Sequence, residues 1–201
     1  SLVGSEMCIR DSRNPELVIN FYNERRKQLL DVKPNAGHIG LAELEKDFNV
    51  TVVTQNVDNL HERAGSKRVI HLHGELTKVC SSRDPYNPHY IKELKPDEYE
   101  VKLGDKAGDG TQLRPFIVWF GESVPEIETA VGYVEKADIF VIIGTSMNVY
   151  PAAGLLNYVP RDAEVYLIDP KPVDVHSMRQ IHVIQKGASE GVQELRSLLK
   201  P

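Results

Sequence analysis

The chain has 201 residues, 41% of them hydrophobic and 26% charged, which are the proportions of a globular domain with one sizeable core. Its 24 Lys and Arg against 29 Asp and Glu leave a net charge of −5, so it offers no electrostatic footprint for nucleic acid or an anionic membrane and suits a basic peptide better. Two cysteines, Cys8 and Cys80, are too few for a disulfide framework or a four-thiolate zinc site, no apolar run reaches the roughly 20 residues of a membrane span, and a cytoplasmic setting is expected.

Residues 1–12 (SLVGSEMCIRDS) match no periodic element and are expected to be a non-native leader. Asn14-Pro15-Glu16 then reads as an N-cap, a first-turn proline and an early acid, opening a helix to about Leu30 with Leu17, Phe21 and Leu29 on one side. Lys33-Pro34-Asn35 breaks it, and a second helix carries Leu41, Leu44 and Phe48. Strands follow at Thr51–Thr54, Val69–Leu72 and Phe116–Phe120, then a helix over Glu126–Lys136 and a strand over Asp138–Ile143. A helix from Ala152, a strand at Val165–Ile168 and a closing helix with Val192, Leu195, Leu198 and Leu199 complete the pattern. Short apolar strands alternating with amphipathic helices predict an α/β fold, a doubly wound parallel sheet. Residues 80–113 are instead rich in Pro, Tyr, Asp, Gly and Lys, and read as a small irregular module inserted in a domain spanning 13–201.

In open parallel sheets ligands bind beyond the carboxyl ends of the strands. Here those ends are polar: TQNVDNLHERAG after Val53, HLHGEL after Ile70, WFGE after Val118, GTSMNVYPAAG after Ile143 and IDPKP after Leu167. Each has a plain alternative. Gln55, Asn56 and Asp58 could cap the next helix. His71 and His73, two apart on a strand, would share a face yet make only half a metal site. Gly144-Thr145-Ser146 could hold phosphate or ribose on backbone N–H groups, or be an ordinary strand-to-helix turn.

Taken in order, QNVD, HGEL, FGE and GTS with VYPAAG resemble the sirtuin family, specifically its bacterial class III type, over the chain from about Asn14 to the C-terminus. The resemblance implies a Rossmann-like NAD-binding domain and an NAD-dependent protein-lysine deacylase that transfers the acyl group to ADP-ribose and releases nicotinamide. NAD would be a consumed co-substrate. Gln55, Asn56, Val57 and Asp58 would line the nicotinamide end, with Asn56 and Asp58 counted with the catalytic groups. His73, and not His71, would be the general base that activates the ribose 2′-hydroxyl. Gly144, Thr145 and Ser146 would lie against the adenosine half, Asp169, Pro170 and Lys171 near its ribose, and Ala188 near adenine. Val118, Phe120 and Gly121 on one side and Val149 on the other would hold substrate peptide as an added strand. In class III members a Tyr-x-x-Arg, here Tyr22 and Arg25, binds the distal carboxylate of succinyl- or malonyl-lysine. A phenol plus a forked guanidinium suits that group. Acylated-lysine proteins or peptides are thus the expected partners of a monomer.

Two departures from the family stand out. Only Cys80 remains where the family has four zinc cysteines, so no zinc is expected. The Gly-rich loop and Arg-bearing loop that should precede Asn14 are not in these 201 residues, so the stretch itself is expected to be inactive while the full-length gene product is active. Two other readings stay open: a non-catalytic acyl-lysine or nucleotide-binding module on a degenerate sirtuin scaffold, and a metal hydrolase built on His71, His73 and Asp58.

Overall fold

The computed structural model describes residues 14–144, 152–172 and 180–200. In chain order the elements are α1 (Pro15–Asp31), α2 (Ala36–Leu44), β1 (Val52–Thr54), α3 (Leu60–Ala64), β2 (Val69–His71), β3 (Gly74–Ser81), β4 (Lys92–Glu93) and β5 (Leu113–Ile117). Then come α4 (Ile127–Val134), β6 (Ile139–Ile143), β7 (Glu164–Ile168), β8 (His182–Ile184) and α5 (Ala188–Leu198). Two 3₁₀ segments, Pro88–Tyr90 and Ala152–Tyr158, join them. The described residues fall into two compact units, one of 14–32, 56–59 and 73–123 and the other of 33–55, 60–72 and the chain from 124 onward.

The second unit is a layered α/β structure. β1 pairs with β2 in parallel, and β6, β7 and β8 form a second parallel ladder in that order. β7 shows why its sequence is an unbroken apolar run. Val165 and Leu167 pack with Ala130 and Val134 of α4 and with Ile70 and Leu72, whereas Tyr166 and Ile168 pack with Leu44 of α2 and Val192 and Leu195 of α5. Alternate residues of a strand face opposite sides, so both faces here are covered by helices. Each such Val, Leu or Ile contributes about 1.5–3 kcal/mol by leaving water. Asn35 starts α2 with a reciprocal cap: its side chain accepts from the His38 backbone N–H at 3.1 Å and His38 Nδ1 accepts from the Asn35 N–H at 3.2 Å. The bare flank of α2 then lets α5 approach, since a Cβ at Gly40 would stand 2.7 Å from Val192 Cγ1.

The first unit is built differently. β3 is the centre of an antiparallel sheet ordered β4-β3-β5, over which α1 lies. Ile19 of α1 joins Val79 and Val101 in its core, and Asn23 bonds Val101 twice, donating to its carbonyl at 2.7 Å and accepting from its N–H at 3.0 Å. Asn14 caps α1 by accepting from Leu17 N at 3.1 Å, as its sequence predicts. The buried face of α1 is not the expected one, however. Val18, Ile19, Arg26 and Leu29 are buried, whereas Leu17 is 46% exposed. The stripe is rotated from Leu17 and Phe21, and an arginine occupies one of its positions.

The strand expected at Phe116–Phe120 also differs. It ends at Ile117, begins at Leu113, and runs antiparallel to β3 rather than within a parallel ladder. Its partner β3 is an eight-residue strand that opens at Gly74 of the HGEL motif, where the φ of +82° suits a glycine. β8, too short to show a period, was not expected at all.

Where the family resemblance implies zinc ligands, hydrogen bonds join the chain. Ser81, fully buried, donates from Oγ to Asp109 Oδ2 at 2.7 Å, and Thr111 donates to Asp109 Oδ1 at 2.7 Å. The Arg83 and Asp84 N–H groups both donate to Ser81 Oγ at 3.0 Å. The bonds from Ser81 and then Thr111 lower the Asp109 pKa from 3.8 to about 2. A depressed carboxylate pKa contributes stability that is present above the unfolded value and lost as pH falls through the folded one. Asp109→Asn is therefore expected to lower the urea midpoint at pH 6, with the gap to the parent closing between about pH 4 and pH 2. A gap that stays constant over this range would show that the carboxylate charge contributes nothing.

Candidate active site

β1 and β2 run in parallel, so the loops that follow them leave one edge. Leu72 N extends their ladder by donating to Thr54 O at 2.9 Å. Within the first unit, two backbone bonds lace three motif loops together. Leu76 N donates to Val57 O at 2.7 Å, joining HGEL to QNVD, and Val118 N donates to His73 O at 3.0 Å, joining HGEL to the WFGE loop. His73, half-buried, thus sits in a turn held on both sides. Gly74 makes this possible: besides its positive φ, an added Cβ would overlap the Phe116 carbonyl across the β3–β5 ladder.

Leu76 is gripped from its other side as well. Arg26, 3% exposed, donates from Nε to Leu76 O at 2.8 Å and from Nη1 to Asn23 Oδ1 at 3.0 Å. Burial lowers its pKa from 12.5 to about 10, so the guanidinium stays charged at neutral pH. One residue of β3 therefore carries α1 on its carbonyl and the QNVD loop on its N–H. Tyr22 lies one turn before Arg26 and accepts from Trp119 Nε1 at 3.3 Å, which brings α1 to the WFGE loop. Arg25 is exposed, with its guanidinium carbon 5.3 Å from the centre of the Phe21 ring.

His71 has a separate role. It ends β2, it is buried, and its Nε2 lies 2.7 Å from Glu62 Oε1 of α3. Burial alone would raise the Glu62 pKa, but bonds led by that from His71 bring it below its ordinary value. The expectation that His71 and His73 share one strand face is thus corrected, because the strand stops at His71 and His73 lies in the turn beyond. Among the described residues, no three His, Cys, Asp or Glu are grouped to share a metal ion, which leaves the metal-hydrolase reading without a ligand set.

In the second unit three further expected residues end successive parallel strands on one edge. Gly144 follows β6 and donates its N–H to Ile168 O at 3.0 Å, and Asp169 follows β7 and donates to Ile184 O at 3.3 Å. Ala188 opens α5 beyond β8, after a Gly187 N-cap that supplies no side-chain bond to the first turn. A Cβ at Gly144 would meet no atom of the described residues within 4 Å, and Lys171 N donates to Asp169 Oδ1 at 2.8 Å, which fixes that carboxylate. A positive-φ glycine, a fixed acid and a helix start without a side-chain cap thus stand at these strand ends, the edge beyond which open parallel sheets bind ligands. Thr145, Ser146 and Val149 lie outside the described residues.

The Sir2 family profile matches residues 6–151, opening inside the segment expected to be a leader. The chain is 84% identical over 189 residues to an NAD-dependent protein deacylase of Bacteroides thetaiotaomicron, a match that covers 94% of this chain and 81% of that protein. This chain belongs to the Sir2 family. Its fold agrees with that of a crystallised Sir2 homologue–NAD complex, with a TM-score of 0.80 at 33% identity over 94% of this chain and 75% of the other. A Sir2–p53 peptide–NAD⁺ structure matches at 0.77 and 28% identity, over 95% and 80%. The Rossmann-like α/β fold is therefore that of Sir2 proteins.

Sequence reasoning missed four residues that hold these motif loops in the first unit. Arg26 stands beside the chosen Arg25 but falls seven residues after Ile19, on the buried stripe, and that spacing is the signal that could have found it. Arg114, Trp119 and Glu122 tie the WFGE loop together; nothing in LRPFIVWFGE alone says that its first charge reaches its last.

Proposed function

We propose that the protein is an NAD-dependent protein-lysine deacylase which removes succinyl and malonyl as well as acetyl groups. The observation that carries this reading is the lacing of the His73 turn to both neighbouring motif loops, through Val57 and through Val118. NAD, when bound, would supply the anomeric carbon to which the acyl oxygen bonds, with nicotinamide as the leaving group. His73 takes a proton from the sugar 2′-hydroxyl, Gln55, Asn56, Val57 and Asp58 orient the nicotinamide end, and Gly144, Asp169, Pro170, Lys171 and Ala188 hold the adenosine end. The family resemblance alone assigns Thr145 and Ser146 to adenosine and Val149 to the peptide, and all three lie outside the described residues. Val118, Phe120 and Gly121 offer backbone to an acylated peptide. Phe120, 70% exposed, gives that edge an apolar surface. The net charge of −5 favours a basic lysine-bearing partner over nucleic acid. Among the described residues no helix is long and apolar enough to cross a membrane. We place the protein in the cytoplasm as a monomer.

The small module works without zinc in this reading. Cys80 is wholly buried, burial pushes its thiol up to about 11, and its Sγ lies 3.7 Å from Pro115 O. The Ser81–Asp109–Thr111 bonds do the joining instead.

The acyl claim rests on Tyr22 and Arg25. The full-length gene product, given NAD with acetyl-, succinyl- or unmodified lysine peptide, is expected to yield O-acetyl- and O-succinyl-ADP-ribose by mass spectrometry and nothing from the third. In Arg25→Met the succinyl-to-acetyl ratio of kcat/KM should fall roughly 10- to 100-fold, the value of a charge-assisted bond to a carboxylate. An unchanged ratio would remove the acidic-acyl claim.

A further inference from the structure

We propose that Trp119 is a positioning residue for acyl selection, fixing the Tyr22 hydroxyl through its indole N–H; this rests on the reading of Tyr22 and Arg25 given above. Three ties hold Trp119. Its Nε1 donates to Tyr22 Oη at 3.3 Å, its backbone N–H donates to Glu122 Oε2 at 2.9 Å, and the Arg114 guanidinium lies over its ring, 3.5 Å from the centroid. Arg114 is itself fixed. It is 8% exposed, gives Nη1 and Nη2 to the two oxygens of Glu122 at 2.7 and 3.0 Å, and gives Nη2 to Ile117 O at 2.7 Å. Burial would raise the Glu122 pKa, but the bonds from Arg114 and from the Trp119 N–H bring it below its ordinary value, so the fork stays paired with a carboxylate.

An indole N–H can only donate. The Tyr22 oxygen must therefore accept, and the direction of the phenol proton is set by a ring that a buried guanidinium holds flat. That direction matters to an acyl group ending in a carboxylate, which takes the proton as an acceptor. It does not matter to an acetyl group, which has no such end. Trp119 thus acts on the choice between acyl groups through Tyr22, while its backbone bond and ring stacking serve the peptide edge for all substrates.

Trp119→Phe tests this, because phenylalanine keeps the ring over Arg114 and the backbone N–H but lacks the indole donor. Its succinyl-to-acetyl ratio of kcat/KM is expected to fall roughly 3- to 10-fold, the range of one lost hydrogen bond. In a Tyr22→Phe background the same change should leave the ratio where Tyr22→Phe alone puts it, since the bond is already absent. A purely structural role would lower both activities by one factor, and that result overturns the proposal, as do additive effects in the double variant. Arg25→Met, run alongside, separates the two levels. If it lowers the ratio and Trp119→Phe does not, the role of Trp119 alone is lost; if it too leaves the ratio unchanged, the acyl-selection reading falls and the proposal with it.

Discussion

His73→Ala is expected to slow deacylation of an acetyl-lysine peptide by roughly 10²- to 10⁴-fold, the contribution of a positioned general base. The geometry predicts that the loss is chemical and not a failure to fold. Both backbone bonds that hold the turn, Val118 N to His73 O at 3.0 Å and Leu76 N to Val57 O at 2.7 Å, survive in the alanine variant. The His73 side chain is half-buried and fills no core position, so a thermal midpoint within a degree or two of the parent is expected. His71→Ala should behave in the opposite way. Its ring is buried against Glu62, so its removal costs stability before it costs chemistry. Single-turnover rates beside melting curves for both variants would check this, and a His73→Ala enzyme with more than a tenth of the parent rate would contradict the assignment of the base.

Gly74→Ala is expected to be the most damaging single-atom addition in the first unit, costing about 2–6 kcal/mol. Part of that is the left-handed backbone at φ +82°, where a side chain costs about 1–3 kcal/mol. The rest is collision with the Phe116 carbonyl, which belongs to the ladder partner and cannot swing away as a side-chain tip would. Against a total stability of about 5–15 kcal/mol this is a large fraction. The ladder between β3 and β5 should open first, so amide exchange at Val118, whose N–H donates to His73 O beside that ladder, should rise before exchange at Val165 and Leu167 in the other unit. A variant with the parent urea midpoint would show that the glycine is not required there.

The α/β layering was legible because its cause is local. In β7 the run VYLI, buried on alternating faces by α4 and by α2 with α5, announces a strand covered twice. The N-cap at Asn14 was readable for the same reason, since its acceptor serves a group three residues away. What escaped depends on partners distant in sequence. β5 takes its antiparallel direction from pairing with β3, a strand far away in sequence, and Arg26 looks like a surface charge until Leu76 is found to present a carbonyl to it. Motif order singles out His73 and the QNVD loop; the lacing of their backbones through Val57, Leu76 and Val118 follows no spacing in the sequence. The grip of Arg114 on Trp119 and Glu122 was invisible for a further reason: a charge pair within one loop and a charge pair to solvent share the same sequence.

The most direct test of the whole account is the stoichiometry of the full-length gene product turning over acetyl-lysine peptide with NAD. One nicotinamide released for each lysine deacylated, with neither event in the absence of the other reactant, is the expected result. Deacylation without NAD, or nicotinamide release at the same rate with unmodified peptide, would contradict it.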